Sequence, residues 1–215
     1  MRYVYNKGVE KRRRLKLPVV MALVLLGGGG YLLINTMSPV LLVESTNNQA
    51  TVNKLTSTKP VIGENRLYIP QINVDVAIVP INGNEQEALE KGAINRSPSS
   101  GNPQAGGNFV VAAHRFNLGL TPSQTRAKSP FYHMDKLRSG DQFFIDYDGT
   151  RYVYQIIDKQ RVDENDTSIE ERTDTARVTL YTCELTGPRD GREVVYAKPV
   201  GRVAWQDGRS GIESN

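Results

Sequence analysis

From residue 17 to residue 43 the chain carries no charged side chain, and Leu17 to Ile34 is an apolar run. A helix needs about 20 such residues to cross a bilayer. Gly27-Gly28-Gly29-Gly30 would weaken a helix in water, but glycine is tolerated better in lipid. A cleaved signal peptide is the rival reading of such a segment. No alanine-bearing small-x-small cleavage site follows the apolar core, so the pattern predicts a retained transmembrane helix over residues 17–37.

Past that helix the pattern changes. Glu44 to Pro60 is dominated by Ser, Thr, Asn and Gln and reads as extended and weakly ordered, the main part of a stalk over residues 38–64. From Arg66 the chain becomes a succession of short β-like runs. Arg66 to Ile69 and Val74 to Val79 are split by Pro70 and Asn73, and a short helix is expected over Glu85 to Lys91. Asn108 to His114 is a continuous apolar run with the look of a buried strand whose tip, His114, emerges into solvent. Phe143 to Tyr147 and Arg151 to Ile157 flank Asp148-Gly149, a strong hairpin signal. Val178 to Thr182 and Glu193 to Val200 complete the set. Many short strands separated by turn residues predict a mainly β fold, a closed antiparallel barrel or a sandwich, over residues 65–205. Residues 206–215 form a polar tail.

Charge changes little of this picture except topology. The net charge is +4, but seven of the 27 basic residues (Arg2, Lys7, Lys11, Arg12, Arg13, Arg14 and Lys16) crowd into residues 1–16, ahead of the apolar run. The positive-inside rule puts that lead in the cytoplasm and everything after Val43 outside. Topology thus accounts for the basic excess, and nucleic-acid binding has no support.

Candidate chemistry starts from the one cysteine, Cys183, at the end of the strand-like Arg177-Val178-Thr179-Leu180-Tyr181-Thr182 and before the loop residues Thr186-Gly187-Pro188. An exported domain with one thiol has no disulfide framework, so the thiol is explained by packing or by reactivity. A nucleophilic thiol needs a base or a positive neighbour. Two histidines are available. His133 reads as loop, within Pro130 to Lys136, whereas His114 lies at a strand tip and is the better partner. A lone histidine there is commonly satisfied by a backbone carbonyl; with a matching Cys and Arg the balance reverses. Two arginines follow the thiol within ten residues: Arg189, beside the neutralising Asp190, and Arg192, at a strand start.

Thr179-Leu180-Tyr181-Thr182-Cys183 resembles the TLxTC signature of the sortases, membrane-anchored cysteine transpeptidases of Gram-positive-type cell surfaces. The histidine after Ala112-Ala113, the stretch Phe131 to Leu137 with Gly140-Asp141, and Gly191-Arg192-Glu193-Val194-Val195-Tyr196-Ala197 are similar to the family too, in the expected order, from about Asn65 to Val203. The resemblance implies a closed eight-stranded barrel with a few short helices. It implies Cys183 as nucleophile, His114 as acid and base, and Arg192, at the family position, as the oxyanion or substrate donor. Thr182 and Ala113 are expected to contact substrate. The substrate would be a secreted protein with a C-terminal sorting signal of the LPxTG kind, cut between Thr and Gly. The acceptor would be an amine on a peptidoglycan precursor or a pilin lysine.

No cofactor is expected. Some relatives bind calcium near the loop that matches Val162 to Ala176, and this one carries Asp163, Glu164, Asp166, Glu170, Glu171 and Asp174; a merely soluble acidic loop is the simpler reading. The polar tail, and a stalk without an aromatic plug, tilt the expectation towards protein anchoring rather than pilin polymerisation. Two alternatives share the same residues: a membrane-anchored cysteine peptidase with water as acceptor, and a non-catalytic tethered binding domain. Cell-wall cysteine transpeptidases acting on D-amino acids fit poorly, since their His and Gly around the cysteine are missing.

Overall fold

The computed structural model describes residues 17–41, 48–185, 187–206 and 209–214. The basic lead, residues 42–47 of the stalk and Thr186 lie outside them. The chain forms two compact units, one through Ile34 and one from Asn35 onward.

Helix α1 (Leu17–Thr36) has 20 residues, a mean hydropathy of 2.2 and none of its apolar window buried. At 1.5 Å per residue it is about 30 Å long, the thickness of a bilayer's hydrocarbon core. A helix that is apolar all round and exposed is long and apolar enough to cross a membrane. In the second unit, Asn35 and Ser38 are buried and fully bonded. Asn35 Nδ2 donates to Gly119 O (2.9 Å), Thr125 Oγ1 donates to Asn35 Oδ1 (2.7 Å), and Ser38 Oγ, at the start of α2 (Ser38–Leu41), donates to Pro122 O (3.0 Å).

The stalk differs from the extended segment expected. Asn48–Ser57 forms a helix, α3, whose Val52 and Leu55 pack with Phe144, Val153, Val203 and Trp205. The physical reason is tertiary. The carbonyls at its C-terminal end, which a helix leaves unpaired, are taken by donors from far along the chain: Arg151 Nη1 bonds Leu55 O and Thr58 O, and Trp205 Nε1 bonds Thr56 O (2.9 Å). Arg151 is itself buried, clasped by both oxygens of buried Asp146 (2.6 Å each).

The strands are β1 (Arg66–Ile69), β2 (Val74–Val79), β3 (Ala93–Asn95), β4 (Gly101–Asn102), β5 (Gly106–Ala112), β6 (Gln142–Tyr147), β7 (Thr150–Val162), β8 (Arg177–Glu184), β9 (Gly187–Gln206) and β10 (Arg209–Glu213). Among the described residues eight of them close a barrel in the order β1-β2-β3-β5-β8-β9-β7-β6 and back to β1; β4 and β10 pair outside it, on β5 and β9. The barrel is not the antiparallel one expected: two joints, β2 with β3 and β5 with β8, are parallel and the rest antiparallel, because α4 in the first case and β6 with β7 in the second supply the long crossovers that parallel pairing needs. The tail residues beyond 208 thus add a strand to β9.

Local chemistry sets the corners. Asn73 ends the 3-10 turn Pro70–Ile72 in the left-handed region (φ 54°), which separates β1 from β2. Asp148 and Gly149, with φ of 48° and 76°, make the tight primed turn between β6 and β7 that the dipeptide predicts. Helix α4 (Glu85–Lys91) fills the parallel crossover from β2 to β3, capped by Asn84, which accepts from Glu87 N (3.3 Å). Helix α5 (Pro122–Ala127) is capped likewise by Thr121.

Period-2 alternation divides the barrel wall. On β5, β8 and β9, Val111, Ala113, Val178, Leu180, Val195 and Ala197 face the central core. Val110, Ala112, Tyr181 and Val194 point outward, where Ala88 of α4 and Ile169 cover them.

Candidate active site

The outward face of those three strands, at the end where the chain leaves β5, carries the chemistry. In the β8–β9 ladder Cys183 stands directly opposite Arg192. In the parallel β5–β8 ladder the register runs from Asn108 with Arg177 to Ala112 with Tyr181, a constant offset of 69 positions, which His114 and Cys183 also share. One step beyond the last ladder rung, Thr182 Oγ1 donates to Ala113 O (2.8 Å) and Ala113 N bonds Tyr181 O (3.4 Å), which keeps the two chains side by side up to the histidine. Alternation then sends His114, Cys183 and Arg192 to the same outer face, in line across three neighbouring strands.

All three line one groove of about 520 Å³, bounded by α4 through Glu85 and Leu89 and by the 162–176 segment through Ile169 and Glu170. Cys183 is half-buried and unpaired by any disulfide. Arg192 Nη1 donates to Gly191 O (3.2 Å). Gly191 has a φ of 114°, and a Cβ there would meet Val162 O at 2.5 Å, so the approach of β9 to β7 just before Arg192 requires glycine. Arg189 is exposed on β9 and does not border the groove; His133 lies elsewhere, with Nε2 against Pro39 O (2.8 Å).

The histidine's surroundings tune it. Burial lowers the His114 pKa from its ordinary value, Glu90 pulls the other way, and Lys128 adds to the lowering. Its Nε2 is buried without a hydrogen bond, 3.9 Å from Glu90 Oε1. Glu90 is fixed by Lys128 Nζ (2.6 Å) and Asn117 Nδ2 (2.5 Å), and those bonds hold its carboxyl below the usual range. A thiol, an imidazole and a guanidinium in one groove can supply a nucleophile, a proton carrier and an oxyanion donor.

Residues 67–200 match the family model described as the sortase domain, well over half of the chain. The chain belongs to the sortase family. It is 27% identical over 203 residues to sortase D of Bacillus subtilis (strain 168), spanning 85% of this chain and 95% of that one. Solved structures share its fold. Listeria monocytogenes sortase A superposes with a TM-score of 0.56 at 20% identity, over 66% of this chain and 90% of that one. A Clostridium perfringens sortase D5 transpeptidase gives 0.53 at 23% identity, over 73% and 91%.

In this sortase the two expected substrate contacts, Thr182 and Ala113, border the groove while their side chains turn to the barrel interior, both nearly inaccessible. The acidic segment is built into the wall. Glu170 Oε1 accepts from Tyr181 Oη (2.6 Å) and sits 3.5 Å from Arg96 Nε; Asp166 caps Ser168, and Asp163 bonds Asn165. Among the described residues no three His, Cys, Asp or Glu side chains gather as a metal site.

Sequence reasoning missed Glu90 and Asn108. Asn108 is fully buried at the head of the apolar run, donating to Ile169 O (2.9 Å) and Glu171 O (2.8 Å) while accepting from Thr179 Oγ1 (2.6 Å). A polar amide opening an otherwise apolar strand was the signal for it, since a buried amide has to find partners.

Proposed function

We propose that this sortase is a membrane-anchored transpeptidase that cleaves an LPxTG-like C-terminal sorting signal of secreted proteins between Thr and Gly. Cys183 Sγ, as thiolate, attacks the threonine carbonyl carbon. Arg192 donates to the oxyanion that forms. The C–N bond breaks as imidazolium His114 gives its proton to the departing glycine nitrogen, leaving a thioester. An acceptor amine, on a peptidoglycan precursor or a pilin lysine, then attacks; its proton passes to His114, the C–S bond breaks and the thiolate returns. An imidazole can both give and take a proton, which suits both transfers, and burial favours its neutral form here.

The observation that carries this reading is the register: Arg192 opposite Cys183, and His114 at the same offset from Cys183 as every rung of the β5–β8 ladder. The scheme asks for no cofactor, and calcium at the 162–176 segment has no step in it. Helix α1 would be the anchor, with residues 1–16 cytoplasmic and the barrel outside, the orientation that the basic lead favours.

The test is mass spectrometry of the protein with LPxTG-type peptides, with and without an amine nucleophile. A thioester on Cys183, a cut between Thr and Gly, and an amide product are expected. Carboxylic acid as the sole product in saturating amine refutes transfer and leaves a peptidase; no adduct on Cys183 with any peptide refutes both.

A further inference from the structure

Beside each of the three groups stands a polar neighbour: Arg115 after His114, Thr182 before Cys183, and Glu193 after Arg192. Alternation along β9 turns Glu193 inward, whereas Arg115, past the end of β5, also borders the groove. Inward positions of these strands are otherwise apolar, as Val111, Ala113, Val195 and Ala197 show. Arg115 and Glu193 instead put opposite charges at the end of the barrel core, and they meet there. Arg115 Nη1 bonds Glu193 Oε2, while Arg115 Nη2 reaches Asp135 Oδ1 (3.2 Å). Lys159 Nζ stands 3.4 Å from Glu193 Oε1 and donates to Asp135 O (2.8 Å) and Met134 O (3.1 Å). The Arg115 side chain is only 5% exposed and that of Glu193 13%.

The strands that carry His114 and Arg192 are not paired with each other, since β8 lies between them. Past Ala112 the β5 ladder has ended, and the backbone at His114 is held by Phe131 N, which donates to His114 O (3.2 Å), and by the bonds of Ala113 to β8. The Arg115–Glu193 ion pair therefore links the two chains that flank β8 directly. A guanidinium–carboxylate contact is directional, because the planar fork fixes both partners.

We infer that Arg115 and Glu193 are positioning residues: their pair sets the separation of His114 and Arg192 on the two chains that flank β8. This rests on the proposed transpeptidation for its kinetic consequence, and on geometry alone for its structural one. A charged pair here is a poor device for stability, since well-packed apolar replacements of buried pairs are often neutral or stabilising. Its use is to fix two backbones at one distance. A misplacement of about 1 Å can cost about 10²-fold in rate.

The test compares full-length protein with Arg115→Met/Glu193→Met, which removes both charges together, and with Arg115→Lys, which keeps the charge without the fork. For the double variant the melting temperature should stay near that of the parent. We expect kcat for peptide transfer to fall about 10- to 100-fold, with KM within about twofold, and Arg115→Lys to lie between. Amide exchange over 112–116 and 190–195 should quicken while the rest of the barrel is unchanged. A double variant that folds and keeps kcat within twofold overturns the inference. Should the double variant unfold, Glu193→Gln takes its place under the same criteria. Exchange needs no catalysis: a parent protein inert to every peptide refutes the proposed function, and the exchange difference alone then decides the pair's role. Unchanged exchange in both segments overturns it.

Discussion

Arg151→Met offers a direct measure of what holds α3 on the barrel. Asp146 and Arg151 are each 2% exposed, joined by two bonds of 2.6 Å, with Arg151 also lying 5.1 Å from the Tyr68 ring and bonded to the carbonyls of Leu55 and Thr58. Methionine fills much of the volume but leaves Asp146 charged, buried and alone. Removing one partner of a buried pair costs about 3–5 kcal/mol. For a domain of this size about 2–4 °C follow each kcal/mol, so the melting temperature should fall by about 6–20 °C. The companion variant Asp146→Leu/Arg151→Met removes the stranded charge and should recover most of that loss. It does not restore donors to the end of α3, so amide exchange over 49–58 should stay fast in both. Calorimetry with exchange mass spectrometry reads the two effects separately. A single variant that melts within 2 °C of the parent, or one whose α3 amides stay as protected as before, refutes the reasoning.

Three further outcomes follow from the groove. Arg192→Lys keeps a charge but loses the planar donor, and kcat should drop by about 10²–10³, the loss typical of one oxyanion donor; steady-state kinetics within threefold of the parent contradict the role. Glu90→Gln removes the group that pulls the His114 pKa upward, so the imidazole should titrate still lower; proton NMR of the ring across pH decides, and an upward shift would count against the geometry. Because burial depresses the folded-state pKa of His114, the folded protein binds fewer protons than the unfolded chain between the two values. The stability tied to this group is therefore complete above the unfolded value of about 6.5 and is lost as pH falls through the lowered one. His114→Gln should flatten that part of the curve in denaturant melts, and a slope left unchanged speaks against it.

What could be read from the residues depended on how local its cause was. The Asp148-Gly149 corner, the Asn84-capped α4 and the apolar α1 are each fixed by neighbours within a few positions, and each stands where the pattern puts it. Helix α3 was illegible because its polar sequence is ordered by Arg151 and Trp205, far along the chain. Period-2 alternation shows which side chains share a face but not which strands share a ladder, so the residues did not reveal the parallel β5–β8 joint, and an antiparallel barrel was expected in its place. The inward charge was visible in principle: Glu193 shares its parity with Val195 and Ala197, and a charge on an apolar face needs a partner.

The two joints beside Cys183 differ in how they are made, and the chemistry inherits the difference. Arg192 is nine positions away across an antiparallel connection, whereas His114 arrives through a parallel pairing whose crossover contains β6 and β7. Parallel neighbours need a long crossover, and their pairing is the slightly weaker of the two. An opening that parts β5 from β8 therefore leaves the sulfur with its guanidinium but takes away the imidazole. In that state, under the proposed scheme, the thiol can still attack a carbonyl, but no acid protonates the glycine nitrogen, and the adduct reverts to peptide. Under the proposed scheme, cleavage is confined to molecules whose barrel is closed. Under the inferred positioning role, the contacts that keep the β5 end against its neighbours, Thr182 to Ala113 O and Arg115 to Glu193, bear on the rate by holding His114 in register with Cys183 and Arg192.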